Sequence, residues 1–434
     1  MHTTVFEYGY LTHVQAACDD LNAQLISKSA FEYLKEVCLS ASESETSKCL
    51  GLTKRYGYEL IQVKNYVGVL FTPTGEHIEV LPKTGRKSKS TEQAITESRE
   101  MLLMMLRHLG AFRYVASNQA SVASKKMPLL EVFIAQFLQS VNTLVKRGLK
   151  SDYVTQEDNL HFQKGKLLVS QQIRHNAVNK QKFYVEYDEY LINRPANRLI
   201  KTALHKLGNY TRLSSNQKLL RELQFAFAEV PNCKSVKQDI NALKLDRGMN
   251  DYHQPIEWAK LILDGFSPLS MKGENNALSL LFPMEAVFES YVASVLKKQL
   301  PDEVELTTQA CSKYLVTHNE RSQFQLKPDL LITFQDESKL ILDTKWKLLD
   351  LDEHNYGLSQ SDLYQMFAYG HKYLNGMGDL FLIYPAHSGF KKAIKYSFDY
   401  IESLRLWVVP FVTDLKGGSR LMWPRGFPNT VSTP

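Results

Sequence analysis

Two short apolar runs constrain this chain most, because each carries charge where an ordinary buried strand carries none. Residues 326–334 and 339–346 are rich in Leu and Ile, and Gln335-Asp336-Glu337-Ser338 between them is polar enough to turn. The pair reads as a β-hairpin, with Lys327-Pro328-Asp329 on one strand and Asp343-Thr344-Lys345 on the other. Alternate side chains in a strand share a face. Asp343 and Lys345 therefore point one way, and Leu342, Thr344 and a core Trp346 the other. Pairing of the strands brings Asp329 beside Asp343. Charges embedded next to Leu340-Ile341-Leu342 are costly without a partner or a metal. Two carboxylates beside an ammonium can hold a hard cation such as Mg²⁺ through oxygen, while the lysine orients a water or stabilises charge developing on phosphate. A solvated strand edge with one ion pair is the plainer alternative.

The flanking segments fit a larger pattern. Residues 282–300 have apolar side chains at helical spacing, with Glu285 and Glu289 one turn apart. Glu289 is the candidate for an additional metal carboxylate, an exposed helix acid being the other reading. Residues 361–373 read as a helix opened by Ser361 or Asp362. Gln365 and Tyr369 share one face of it, and Tyr364, Met366 and Phe367 are expected in its core. Residues 379–386, 396–400 and 404–412 read as strands. The order is a helix, strands with acids, a helix and a strand, which calls for a mixed sheet with flanking helices. PD followed by DTK in this setting resembles the PD-(D/E)xK nuclease signature on its αβββαβ core. The resemblance implies that the Q-x-x-x-Y helix supports the site or contacts the DNA backbone, giving Gln365 and Tyr369 that role. Lys347 shares the face of Lys345, and Lys327 the parity of Asp329, so both are expected near DNA phosphates.

At 434 residues the chain is too long for one ordinary core. Its 44% hydrophobic and 23% charged content is that of a globular protein, and a net charge of +6 permits a polyanionic partner. Cys18, Cys38, Cys49, Cys233 and Cys311 are scattered without C-x-x-C spacing. They argue for a reducing cytoplasm and against a zinc site or a disulfide framework. No signal peptide is recognised, and no apolar run is long enough to cross a bilayer. The absence of G-x-x-x-x-G-K-[ST] argues against nucleotide hydrolysis by this chain.

Residues 3–11 alternate like a strand. Residues 58–72 and 76–81 read as a hairpin system turned at Pro73-Thr74-Gly75. A basic Gly/Ser loop follows over residues 83–90, with Arg86, Lys87 and Lys89 at its tip. It is either a solvated turn or a tip that meets nucleic acid or a partner's nucleotide site. Residues 94–109 and 129–147 read as amphipathic helices. Residues 165–176 read as strands, and Asn193-Arg194-Pro195 opens a helix through Leu207. Glu186, Asp188 and Glu189 could be metal ligands, but a structural charge network with Arg174, Arg194 and Arg198 is the favoured reading.

Taken together, FEYGYL at the start, IEVLPK, GKLLVSQQIRHN, YDEYLINRPANRLIKTAL, FESYV and KPDLLITF…LILDTKWK resemble McrC, the nuclease subunit of the McrBC modification-dependent restriction system. The resemblance covers nearly all the chain, except residues 19–52 and the tail after 415. It implies an α+β multidomain protein: residues 1–160 as a β-rich and helical region that binds the partner ring, 161–270 as a central mixed region, and 271–434 as the nuclease domain. It further implies a McrB-like AAA+ GTPase as partner and motor. The substrate would be double-stranded DNA with modified cytosine, cut with Mg²⁺ by Asp329, Asp343 and Lys345. GTP would be bound by the partner and not by this chain. Two other readings stay open: a catalytically silent adaptor of the motor, and a self-sufficient repair nuclease.

Overall fold

The computed structural model describes residues 2–40, 49–72, 75–84, 91–109, 127–178, 181–245, 248–265, 280–414 and 418–424. The chain forms two compact units, one made of Met1–Val115 with Leu281–Pro434 and the other of Ala116–Leu280. This differs from the linear division expected at residues 160 and 270. The cause is strand pairing across the chain, because Leu280–Pro283 hydrogen-bonds beside Tyr66–Phe71 in a sheet ordered His2–Phe6, His77–Leu81, Tyr66–Phe71, Leu280–Pro283.

In the first unit, the strand expected over residues 3–11 breaks at Glu7-Tyr8-Gly9. Tyr8 takes a left-handed φ of 60°. A Cβ on Gly9 would lie 2.7 Å from the Phe6 carbonyl oxygen, so a larger residue would force this turn open. His2–Phe6 pairs parallel with His77–Leu81. Tyr10–Thr12 joins a second sheet, ordered Gln24–Leu25, Tyr10–Thr12, Tyr58–Val63, Leu50–Arg55. The expected hairpin therefore holds only for Tyr66–Phe71 with His77–Leu81, while Tyr58–Val63 pairs elsewhere. Glu79, 1% exposed, receives two hydrogen bonds of 2.7 Å from the Arg99 guanidinium on the Thr91–Leu106 helix.

The carboxy-terminal part of this unit is a seven-stranded sheet. Its order is Glu305–Thr308, Leu330–Thr333, Lys339–Thr344, Gly378–Pro385, Leu404–Val412, Phe398–Ile401, with Arg420–Leu421 also on Leu404–Val412. Leu330–Thr333 and Lys339–Thr344 form the expected antiparallel hairpin. Lys339–Thr344 runs parallel to Gly378–Pro385, which requires a crossover, and the Gln360–Tyr373 helix supplies it. Met366 and Tyr369 of that helix pack on Leu380, Leu382, Leu404 and Leu406. A Cβ on Gly370 would lie 2.7 Å from a Leu404 methyl, so glycine lets the helix sit close. Tyr364 and Phe367, expected in the core, are 65% and 42% exposed; only Met366 of the three faces the sheet. Phe288 of the Met284–Gln299 helix meets Phe411 and Trp346, which covers the other face of the sheet. Burial on both faces explains the near-continuous apolar strands. A separate ribbon, Lys313–His318 with Arg321–Leu326, is spliced between the first two strands of the sheet order.

In the second unit, the helices Leu129–Arg147, Pro195–Leu207, Ser214–Ala226 and His253–Lys260 pack together beside a three-stranded sheet ordered Asp152–Leu160, Phe183–Leu191, Lys166–Leu167. The strands expected over residues 165–176 reduce to Lys166–Leu167, and Val169–Asn176 is a helix. Polar side chains secure it: Gln172 accepts from the Tyr184 N–H at 2.6 Å, and Asn176 donates to the Lys182 carbonyl. Arg198 clamps Asp239, and Glu186 lies 3.8 Å from Lys166, while the side chains of Asp188 and Glu189 lie outside the described residues.

Candidate active site

The hairpin register builds the site. Leu330 faces Leu342, which sets the preceding Asp329 alongside Asp343. Lys327-Pro328-Asp329 lies on the connection just ahead of the strand, not within it as expected. The Thr344 N–H and hydroxyl both donate to Asp329 Oδ2, at 2.8 and 2.6 Å, and so fix that carboxylate. Asp343 is 1% exposed. Its Oδ2 lies 2.7 Å from Lys345 Nζ, an ion-pair distance without hydrogen-bond alignment, and this oxygen has no other partner.

Burial, then the charge of Asp329, push the Asp343 carboxyl well above the usual carboxylate range, outweighing the opposing pull of Lys345. The Lys345 ammonium moves upward as well. Burial opposes its charge, but Asp343, Asp362 and Asp329 overcome that. The lysine is therefore held charged in a pocket that remains short of positive charge.

Helix Gln360–Tyr373 aims the lysine. Lys345 Nζ donates to Gln365 Oε1 at 3.1 Å, Gln365 Nε2 donates to Tyr369 Oη at 2.7 Å, and Tyr369 donates to the Lys327 carbonyl at 3.0 Å. This relay ties the helix to both acid-bearing segments. Burial, then Asp343, push the Tyr369 hydroxyl up to about 12, so it acts as a neutral donor. Asp362, read from sequence only as a cap, lies 3.7 Å from Lys345 Nζ. Its spacing with Gln365 and Tyr369 on one helical face was the available signal.

Glu289 feels the charge of Asp329, and burial, then that charge, raise its carboxyl. Its Oε1 accepts from Gln309 Nε2 at 2.5 Å, and the Gln309 N–H donates to the Asp329 carbonyl. Gln309, missed in the sequence, thus bridges the helix and the acid. Among the described residues, no cluster of three or more His, Cys, Asp or Glu forms a ready metal cage. The carboxylates that come together are Asp329 and Asp343, with Glu289 turned toward Gln309.

Lys347 lies past the end of the strand at Thr344, and its ammonium engages the Gly357 carbonyl. Lys327 is exposed beside the site. Trp346 is buried as expected, but its indole N–H donates to Glu7, at 2.9 Å to the nearer oxygen. Lys83, expected on a solvated loop, donates to the Trp346 carbonyl at 2.7 Å and lies 5.0 Å from the Tyr8 ring centre. Arg86, Lys87 and Lys89 lie outside the described residues.

No curated protein matches the chain. Among solved structures, a chain of the refined half-complex from the tetradecameric assembly of Thermococcus gammatolerans McrB AAA+ hexamers with bound McrC is similar, with a TM-score of 0.67 and 19% identity over 96% of both chains. The cryo-EM structure of the Thermococcus gammatolerans McrBC complex matches with a TM-score of 0.48 and 22% identity, over 70% of this chain and 89% of that one. The former likeness shows a shared fold from end to end. A family model described as McrBC 5-methylcytosine restriction system component matches residues 61–385, well over half of the sequence. The chain belongs to this McrBC restriction-component family.

Proposed function

We propose that this chain is the endonuclease subunit of an McrBC-like restriction complex, acting with Mg²⁺ on double-stranded DNA that carries modified cytosine, and stimulating the GTPase of a McrB-like AAA+ ring. The observation that carries the reading is the Asp329–Asp343–Lys345 arrangement, with its lysine aimed by Gln365 and Tyr369. The helix, strand and helix order around it supports a PD-(D/E)xK core.

The donors suit Mg²⁺. Asp343, Asp329 and Asp362 gather around the single ammonium of Lys345, so the pocket carries more negative than positive charge, and Mg²⁺ takes one or two carboxylates while keeping several waters. Asp329 and Asp343 would hold it, with Glu289 assisting after release from Gln309. When bound, the metal supplies Lewis-acid polarisation of the phosphate and acidifies a water. Lys345, held charged, orients the attacking water or stabilises charge on the phosphate oxygens. Gln365 keeps the ammonium pointed at that position, and Tyr369 keeps Gln365 in place. Thr344 holds Asp329 in the orientation that faces Asp343.

The similar Thermococcus gammatolerans assembly contains McrB AAA+ hexamers with bound McrC, and the sequence carries no G-x-x-x-x-G-K-[ST] P-loop. A motor on a second polypeptide follows as its partner. No helix among the described residues is long and apolar enough to cross a membrane. A cytoplasmic place follows from the restriction role. The test is cleavage of cytosine-methylated plasmid by the full chain with and without the GTPase ring, GTP and Mg²⁺. Cleavage is expected only with all three, and methylation-independent cutting by the isolated chain would favour a self-sufficient nuclease.

A further inference from the structure

The Lys313–His318/Arg321–Leu326 ribbon has no part in the carboxylate site, yet its outgoing strand runs directly into Lys327-Pro328-Asp329. Both six-residue strands are exposed along their whole length except for the half-buried Leu326. A hairpin wet on both faces buries no core of its own and is marginal by itself. Its base is nevertheless anchored: the Tyr373 hydroxyl donates to the Leu326 carbonyl at 2.9 Å, and Gln325 donates to the Cys311 carbonyl at 2.6 Å. The tip turns through Asn319-Glu320, both with left-handed φ, as a tight two-residue hairpin requires.

Three observations indicate what this ribbon meets. Lys313, Arg321 and Lys327 outnumber the single acid Glu320, and among the described residues none of the three cations is in an ion pair. Phe324 holds a left-handed φ of 58° while 69% exposed, an unfavourable backbone for an aromatic residue whose ring gains little burial in return. The ribbon also runs directly into the connection that carries Asp329.

We propose that the ribbon enters a groove of duplex DNA beside the cut phosphate. Lys313, Arg321 and Lys327 meet backbone phosphates, and Phe324 rests against sugar and base edges. A two-stranded ribbon fits the major groove, and six residues reach roughly 20 Å. Seating it there sets which phosphate arrives between Asp329 and Asp343. The proposal rests on the nuclease reading. A second copy of the chain is the weaker occupant, since a two-fold contact would set these cations against their own copies.

The test measures binding of the full-length chain to a short fluorescein-labelled duplex, with Ca²⁺ replacing Mg²⁺, at several salt concentrations. Lys313→Gln with Arg321→Gln is expected to weaken binding about 10-fold or more and to lower the salt slope by about two. Phe324→Gly relieves the left-handed strain, so it should melt no lower than wild type yet bind DNA more weakly at every salt, a combination that misfolding cannot produce. Unchanged affinity and slope in these variants would overturn the proposal. So would lost self-association or ring assembly with DNA affinity retained, or failure of the wild type to bind the duplex. Asp343→Asn, measured alongside, separates the two readings. If it cuts like wild type the nuclease assignment fails, whatever the ribbon variants do.

Discussion

The Glu7 carboxylate and the Trp346 indole, 339 positions apart in sequence, share a buried hydrogen bond one residue beyond the lysine of the candidate site. Glu7 is fully buried and also accepts the Lys83 N–H at 2.9 Å. The amino-terminal turn and the end of the Lys339–Thr344 strand are thereby tied to each other.

That tie carries a pH signature. Burial pushes the Glu7 carboxyl up to about 7, against the offsetting charge of Lys83 and its hydrogen bonds. A carboxyl raised in the folded state binds protons that the unfolded chain has already lost. Its effect on stability is therefore favourable at low pH and declines as pH rises from the ordinary carboxylate range to about 7. Glu7→Gln keeps an acceptor for Trp346 and should flatten the fall in stability between acid and mildly alkaline pH, by on the order of 2–3 kcal/mol. Urea unfolding of both proteins across that range checks this, and parallel curves would refute it.

Asp343→Ala and Lys345→Ala should each lower cleavage by on the order of 10²–10³-fold or more while leaving folding and ring binding intact. Asp343 sits against Asp329, so its removal also relieves repulsion and should not lower the melting temperature. Plasmid nicking with Mg²⁺, together with circular dichroism melts, reads both. Residual cleavage near the wild-type rate would sink the catalytic assignment.

Tyr369→Phe deletes the hydroxyl that joins Gln365 to the Lys327 carbonyl. A drop of about 10-fold in kcat with little change in KM is expected, since the residue positions Lys345 without meeting DNA itself. A change confined to KM would instead mark it as a DNA contact.

Arg99→Met removes the bidentate partner of Glu79, a carboxylate that is nearly inaccessible to water. A loss of about 3–5 kcal/mol in unfolding free energy is expected. Denaturant titration measures it, and a loss under about 1 kcal/mol would show that the remaining contacts of Glu79 suffice.

Replacing Arg86, Lys87 and Lys89 together by Gln should reduce GTP hydrolysis by the ring or its assembly with this chain, because cations near a transferring phosphoryl group lower its barrier. Mg²⁺ binding at Asp329 and Asp343 should persist. Unchanged stimulation and assembly would make the segment an ordinary solvated turn.

What the sequence disclosed followed from local geometry. Period-two alternation and one short polar turn were enough to bring Asp329, Asp343 and Lys345 together, and four-residue spacing was enough to align Gln365 with Tyr369. Glu7 and Lys83 were illegible because their partner lies hundreds of residues away, and no periodicity encodes such a contact. The Val169–Asn176 helix escaped notice because Gln172 and Asn176 hold it in place of an apolar stripe. The Gly357 partner of Lys347 lies on a loop ten residues away, which strand alternation does not encode.

The insertion of Ala116–Leu280 within the other unit has a consequence for synthesis. His2–Phe6, His77–Leu81 and Tyr66–Phe71 emerge early, but the edge beside Tyr66–Phe71 stays open until Leu280–Pro283 arrives. That edge strand carries Val67, Val69, Leu70 and Phe71, all buried in the finished protein. The segment that closes this edge leads directly into the helix bearing Glu289, so the amino-terminal sheet is sealed only as the acid-bearing strands are being made. A chain that stops before Leu280 therefore lacks the outer strand of this sheet.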